Sequence, residues 1–501
     1  MNLSCSDADL TDFCKKQSEY CRSVIAKSPA SELEILKHVN DHLARYTISP
    51  LSVDTYNPIS SLFKRAEAVG WWRRKIRVIR ARVVESIARD IGLVSKVKNA
   101  YCSKWGQNFY DDQVKRNIKL LETMVIVNQQ GDTYSLKELA DKSVSNPEIR
   151  RAELMVRMKG FETVANTLGH VGGFYTLTTP SKMHAFSAHG IKNPKYNGTT
   201  PREANDYLNN VWKLVRASLC NAGIKVYGFR VVEPHHDGTP HWHLMLFHRP
   251  SESKQIEKVF KRYAMAEDGD EAGAEKHRFK VEMIDPAKGS ATGYIAKYIS
   301  KNINGKGIDE DLYGNEAESA AKAITAWASI WGIRQFQQIG GPSVTAYREL
   351  RRLETEESGV LEQARKAADE SDWAAYVMAM GGPNLPQKER PIKLALWVED
   401  KGEIVDFDTG EVIPVYETKY GNIPKGKVFG LLCDGQHVLT RFYTWTIQKL
   451  SEVSVGSCMP LLYAGRNVLG QGFSDMRIRR ESGANVAHSH ITEFLNLDLC
   501  Q

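Results

Sequence analysis

Long hydrophobic runs are absent from this chain. No stretch of eighteen apolar residues occurs, and a bilayer-spanning helix needs about that many. The opening MNLSCSDADLTDFC has no basic-then-apolar order, so no secretory leader is expected and a cytoplasmic setting follows. No two cysteines stand in a CxxC pair. Cys5, Cys14, Cys21, Cys102, Cys220, Cys433, Cys458 and Cys500 read as thiols in a reducing compartment. That excludes a disulfide framework and a cysteine-rich zinc site. Neither an internal repeat nor a low-complexity linker is present. At 501 residues the chain exceeds a typical single core, so two to four domains are expected.

What is present is charge in one place. The formal net charge of +7 says little alone, but Lys64 to Arg82, KRAEAVGWWRRKIRVIRAR, holds eight Lys or Arg and one acidic residue. As a helix it carries a cationic stripe beside Trp71, Trp72, Ile76 and Ile79. Three readings stand: a solvated amphipathic face, a contact to a phosphate backbone through Arg73, Arg74 and Lys75, or a surface for another part of the same chain.

Residues 1–150 read as a mostly helical, basic, DNA-binding or accessory region, since SELEILKHVNDHLARY and KIRVIRARVVESIARDIG place apolar residues at three- and four-step intervals. Short helices continue from DTYSLKELADK onward, with a break at Ser145–Asn146–Pro147 and Ser145 as the candidate cap. Near Gly172 the texture changes. Strands are expected at Phe174–Thr179, Val226–Glu233, His241–Phe247 and from His277, interleaved with helices. This predicts an α+β unit with antiparallel hairpins over 151–315. Residues 316–382 read as helical, through WGIRQF and on to Met380, with Gly381–Gly382 as the stop signal. Residues 383–501 form a smaller, mixed, β-rich region of unassigned role, with a polar tail past Gly470. Within it GNIPKGKV matches the spacing GxxxxGK, but Val428 stands where a nucleotide-binding loop needs Ser or Thr, so it reads as a basic turn.

Chemistry concentrates in YGFRVVEPHHDGTPHWHLMLF, Tyr227 to Phe247. Asp237–Gly238 is a turn signal between two apolar strands. His241 and His243 are two apart on a strand and share a face, while Trp242 points the other way. Two imidazoles on a rigid face suit a divalent cation, and Glu233 supplies a third ligand if the register sets it opposite His241. Satisfied, purely structural strand histidines are the competing reading. His235 and His236 fall in the turn, where they either reach a phosphate or contact nothing. The second feature is YIAKYISKN, Tyr294 to Asn302. On a helix Tyr294 and Tyr298 share a face, Lys297 and Lys301 sit on a neighbouring stripe, and Ile295 and Ile299 form a buried one. Gly289 and Gly293, just upstream, would allow DNA to approach closely. A phenol with an ordinary pKa of about 10 is a poor nucleophile near neutrality. A cation on the attacked phosphate, and lysines beside the phenol, remedy that. Aromatic packing is the bland alternative for the tyrosines, and the histidine hairpin weighs against it.

The HWH triplet at His241–His243 resembles the His-hydrophobe-His motif of the HUH endonucleases, YIAKYISKN resembles their two-tyrosine motif, and FYTLTTPSKMH at Phe174 looks like their first motif. SVSNPEIRRAELM, EPHHDGTPHWHLMLF and WGIRQFQQIGG are similar to the replication gene A proteins of P2-like phages and prophages, closely over about residues 130–350. The resemblance implies an HUH-type five-stranded antiparallel sheet with flanking helices. It implies nicking of one strand at a phage origin by tyrosine attack, leaving a covalent 5′-phosphotyrosine and a 3′ hydroxyl for rolling-circle replication. Cleavage and rejoining of the displaced strand follow. Tyr294 and Tyr298 fall on the paired nucleophiles, His241 and His243 on the metal ligands, Glu233 on the acidic ligand and Lys297 on a substrate-positioning place. Lys301, Lys182, Arg73, Arg74 and Lys75 are taken as DNA-binding. Mixed nitrogen and oxygen ligands suit Mn²⁺ or Zn²⁺, and a phosphate substrate that adds oxygens admits Mg²⁺, so Mg²⁺ or Mn²⁺ is the expected cofactor. Origin DNA, a host replicative helicase and a host polymerase are the implied partners, in the bacterial cytoplasm and away from membranes. A relaxase or transposase of the same chemistry, a non-enzymatic DNA-binding protein and a metal hydrolase using bound water are the alternatives.

Overall fold

Side-chain alternation along residues 171–283 builds one antiparallel sheet whose two faces are both covered. The computed structural model describes residues 6–54, 56–305, 316–354, 359–398, 402–405, 412–414 and 417–452. The polar tail past Gly470, and Cys5, Cys458 and Cys500, lie outside the described residues. No disulfide joins the described cysteines. The chain divides into two compact units, one from the described parts of Met1–Glu85 and Ala395–Phe429, the other from those of Ser86–Leu394 and Gly430–Gln501.

The first unit is helical through Asp7–Lys27, Glu32–Ala44, Ile59–Ala66 and the start of Val69–Asp90. Ser6 and Ser31 open the first two helices with capping boxes closed by Asp9 and Glu34. Trp71, Trp72 and Ile76 are buried against Leu10, Cys14 and Leu43. The basic segment is therefore amphipathic, with its aromatic side inward.

In the second unit five strands, β1 (Val171–Leu177), β2 (Tyr227–Pro234), β3 (Pro240–His248), β4 (Phe279–Met283) and β5 (Phe336–Ile339), lie in the order β4-β1-β3-β2-β5, every pair antiparallel. The fold class expected from the sequence is present. One face packs Phe174, Phe229, Val231 and Met245 against helices α1 (Pro147–Leu168) and α4 (Ala291–Ile303). The opposite face packs against α2 (Pro201–Asn221) and α3 (Ser253–Ala264): Trp242 Nε1 donates to Asn205 Oδ1 at 3.1 Å, and the Tyr175 ring stacks on Phe260 at 4.9 Å. Ile295 and Ile299 of α4 are essentially unexposed. Burying each is worth about 1.5–3 kcal/mol, so a charge at either position would weaken the packing of α4 on the sheet by at least that much.

Two glycines are required by the backbone. Gly228 in β2 has φ +149°, and a Cβ there would lie 1.9 Å from the Met245 carbonyl oxygen. Gly238, φ +79°, completes the β2–β3 turn, in which His235 N donates to Thr239 O at 2.7 Å.

Several local expectations give way. Asn146, not Ser145, caps α1, its side chain accepting from Glu148 N at 3.0 Å with Pro147 at the first helical position. The helical reading through WGIRQF ends early. Helix α5 (Ala317–Trp331) stops at Gly332, φ 61°, and residues 336–339 become the sheet's edge strand on β2. The long helical pattern to Met380 is three short helices, Val344–Leu350, Val360–Asp369 and Trp373–Ala379. Met124–Asn128 and Thr133–Ser135, read as helical, are strands, and the former pairs with Trp445–Lys449. Lys427 of the GxxxxGK text opens a strand, Lys427–Cys433, and not the helix a phosphate loop requires.

Candidate metal and tyrosine site

The β2–β3 register pairs Glu233 with His241 and Val231 with His243, so Glu233, His241 and His243 share one face. Their ligand atoms all lie within 4.8 Å of one another. Glu233 Oε2 is 3.8 Å from His241 Nε2 and 3.6 Å from His243 Nε2, and the carboxylate is wholly buried. Burial pushes its pKa up, but the His243 hydrogen bond and the Lys301 ammonium outweigh this and hold it below the ordinary value. Burial drives the His241 pKa well below the ordinary value, which favours a neutral, ligand-ready imidazole. His243 Nδ1 meets Thr176 Oγ1 at 3.2 Å, leaving Nε2 turned to Glu233. His241 Nδ1 is buried with no hydrogen-bond partner. Two imidazole nitrogens and a carboxylate oxygen clustered in a buried site are a donor set that fits a divalent cation.

Helix α4 brings the tyrosines to this face. Ser290 caps it, and Glu162 of α1 accepts from Ala291 N at 2.6 Å and Thr292 Oγ1 at 2.8 Å, a carboxylate at the positive end of the helix. The Tyr298 ring lies 4.2 Å from the His243 ring and 5.2 Å from Phe174, which itself stacks on His243. The Tyr298 pKa is pushed up to about 12, by burial first and then by Glu233 and Glu282. Tyr294 sits outward, 6.4 Å from Phe174, its hydroxyl 3.4 Å from Glu282 Oε1. The two phenols share a helix face but not an environment.

Lys297 is exposed. Lys301 is buried, its Nζ 3.4 Å from Glu233 Oε2 and 5.5 Å from the Tyr101 ring centre. Lys182 is paired with Glu267 at 2.7 Å and Asp268 at 2.9 Å. In the other unit Arg73 is 3.4 Å from Asp7, Arg74 donates to the Tyr420 hydroxyl at 3.0 Å, and Lys75 lies 5.7 Å over Trp71.

Two neighbours, Asn302 and His184, are not singled out from the sequence, and His235 reads there only as a turn residue. Asn302 Nδ2 donates to Glu233 and, at 2.6 Å, to the Tyr298 carbonyl, tying nucleophile helix to ligand strand. Its four-residue spacing from Tyr298 was the available signal. The His235 ring centre lies 4.0 Å from that of His241, the two rings tilted by 33°, and the His184 ring lies 5.0 Å from His235. Burial, then His184, pushes the His235 pKa down to about 3. His184 Nδ1 is 3.3 Å from Asp237 Oδ2.

The family model described as bacteriophage replication gene A protein matches residues 9–306. The chain belongs to that family. Among its curated relatives, a replication gene A protein of Escherichia phage 186 is 41% identical over 388 residues, 75% of this chain and 54% of that protein. A probable replication protein of Pseudoalteromonas phage PM2 is 45% identical over 479 residues, 90% of this chain and 70% of that protein. A probable replication endonuclease from a prophage-like region of Salmonella paratyphi A is 33% identical over 420 residues, 80% of this chain and 52% of that protein. The chain spans about half the length of the first and third of these family members. No solved structure matches. The family match takes in the ligand hairpin and both tyrosines, and ends just past α4.

Proposed function

We propose that this chain is a site- and strand-specific DNA endonuclease that opens rolling-circle replication of phage or prophage DNA. The observation that carries the reading is the Tyr298 ring 4.2 Å from His243 in a buried Glu–His–His cluster. The relative named as a replication endonuclease, and those named as replication proteins, support it. Among the described residues, no helix is long and apolar enough to cross a membrane, which accords with action on origin DNA in the host cytoplasm.

In this reading Glu233, His241 and His243 hold Mg²⁺ or Mn²⁺, which when bound polarises a phosphate oxygen of the scissile group. Tyr298 gives up its phenolic proton and its oxygen bonds to phosphorus as the bond from phosphorus to the 3′ oxygen breaks. That oxygen takes a proton and leaves as a free 3′ hydroxyl, while the 5′ phosphate stays on the tyrosine. Lys297, exposed one residue before Tyr298, holds the phosphate backbone of the incoming strand. Lys301 and Asn302 fix the Glu233 carboxylate, so in this site Lys301 acts through Glu233 and not on DNA. Tyr294 performs the second cleavage, after which the waiting 3′ hydroxyl reseals the displaced strand. Host helicase and polymerase are the partners this product requires. Arg73, Arg74 and Lys75 add backbone contacts.

The test is incubation of single-stranded origin oligonucleotide with Mn²⁺ or Mg²⁺. An SDS-resistant protein–DNA adduct is expected, and it disappears when both tyrosines become Phe. Cleavage without an adduct would instead indicate a hydrolase that uses water.

A further inference from the structure

Two loops of the sheet-bearing unit remain unused by this chemistry. Residues 91–104 and 181–200 together carry six lysines and no Asp or Glu, and of the six Lys182 is paired with Glu267 and Asp268 from outside the loops. Chance mixing would be expected to place several carboxylates there, because acidic residues are nearly as common as basic ones in the whole chain. The loops touch each other. The Phe186 ring packs on Gly92, where a Cβ would come within 2.8 Å of it, and Val97 packs on Gly190, where a Cβ would be 2.6 Å from its Cγ2. At that contact stand Val97, 73% exposed, and Ile191, 68% exposed, two of the three most exposed large hydrophobics among the described residues. Lys98 and Lys192 are the next residues along the chain, Lys195 follows in the second loop, and all three are exposed.

Both loops are bolted to the turn that carries the ligand hairpin. Ala185 N donates to Asp237 Oδ2 at 2.9 Å, and Tyr101 N donates to His236 O at 3.2 Å. Arg89, just ahead of the first loop and fully buried, donates to Asp237 O at 2.8 Å and to Thr199 O at 3.0 Å. The His184 ring, from the second loop, lies 5.0 Å from His235, whose ring in turn lies 4.0 Å from that of His241. Whatever occupies this surface is registered against the cation-binding face.

We propose that the two loops form the seat for the DNA duplex bordering the cleaved strand. Lys98, Lys192 and Lys195 hold its phosphates, and Val97 with Ile191 act as an apolar wedge that parts the first base pair and sends one strand to the tyrosines. The proposal rests on the endonuclease reading and adds the element that opens the duplex. Its physical basis is charge complementarity to a polyanion, together with a feature a phosphate-only surface would lack. Lysines suffice for backbone contact, whereas exposed aliphatic tips among them match the side chains that DNA-bending proteins insert between base steps. A protein partner is the competing occupant, and the same experiment excludes or reveals it.

The experiment uses the full chain with EDTA, so that no cleavage is needed. The probe is a forked duplex oligonucleotide with 2-aminopurine at the first paired position. Wild-type protein should raise the 2-aminopurine fluorescence on binding. Val97→Ser with Ile191→Ser should bind within about twofold of wild type but give little fluorescence rise. Lys98→Gln, Lys192→Gln and Lys195→Gln together should weaken binding by about tenfold or more at low salt, and should lower the slope of log affinity against log salt by up to about 3. Full fluorescence rise with the serine variant, or unchanged affinity and slope with the glutamine variant, would overturn the proposal, and either would turn attention to a protein occupant. Adduct formation on single-stranded oligonucleotide is measured in parallel, with Mn²⁺ in place of EDTA. Loss of the adduct in the wild type would defeat the endonuclease reading. An adduct retained by the serine variant, with strand opening lost, is the result that supports the wedge.

Discussion

Replacing Glu233 by Gln separates the electrostatics of the site from its chemistry. Glu233 is unexposed and Lys301 is 5% exposed, with 3.4 Å between Nζ and Oε2. The amide keeps the shape and the contact with Asn302 but leaves the Lys301 ammonium buried without its carboxylate. Removing one member of a buried pair costs about 3–5 kcal/mol, because the remaining charge has lost its water and gains nothing in return. In EDTA, Glu233→Gln should therefore lose about that much stability in urea unfolding, with faster amide exchange across β2 and β3. Adding Lys301→Met to it removes both charges and should recover most of the loss. Lys301→Met alone leaves the carboxylate beside His241 and His243, so Mn²⁺ should stabilise this variant more than wild type, the cation standing in for the ammonium. If Glu233→Gln cost under about 1 kcal/mol and the second substitution restored nothing, the pair would not be what organises the site.

The tyrosines should be unequal. Tyr298→Phe is expected to suppress the first cleavage of a single-stranded oligonucleotide far more than Tyr294→Phe, read as adduct formed in a single turnover; equal losses would refute the asymmetry. Because the metal-free Tyr298 pKa is raised to about 12, the phenolate fraction grows with pH throughout the neutral range, so the single-turnover rate at saturating Mn²⁺ should rise from acid toward alkaline pH. A flat profile would place proton loss outside the limiting step. Glu153 accepts a two-pronged contact from Arg348 at 2.8–3.0 Å. Burial pushes its pKa up, but Arg348 and Arg157 outweigh that and hold it below its ordinary 4.5. Its contribution is thus complete above that value and lost as pH falls through the lowered folded-state pKa. Glu153→Gln should cost about 1–3 kcal/mol near neutrality and progressively less in acid; a cost independent of pH would contradict the pairing. His235→Ala should weaken Mn²⁺ binding, measured by calorimetry, through a looser His241 ring, while leaving Glu233 in place; unchanged affinity would show that the His235 ring does no positioning.

Period and spacing alone determined much of this. The two-residue step from His241 to His243 fixes a shared strand face whatever surrounds it, and the four-residue step from Tyr294 to Tyr298 does the same on a helix. The Asp237–Gly238 turn announced the hairpin, but a one-residue slip would have turned Glu233 away, and the folded β2–β3 pairing is what sets Glu233 opposite His241. Local pattern could not reach the rest. Residues 336–339 become a strand because β2 has an unpaired edge there, and 124–128 because residues 445–449 return to pair with them. Hydrogen bonding between segments so far apart in sequence leaves no period in either. Tertiary packing likewise turned Lys301 inward to Glu233, committed Lys182 to Glu267 and Asp268, and made the two tyrosines unlike. A helix period states which residues share a stripe, but burial and the charges across the gap decide what each one can do.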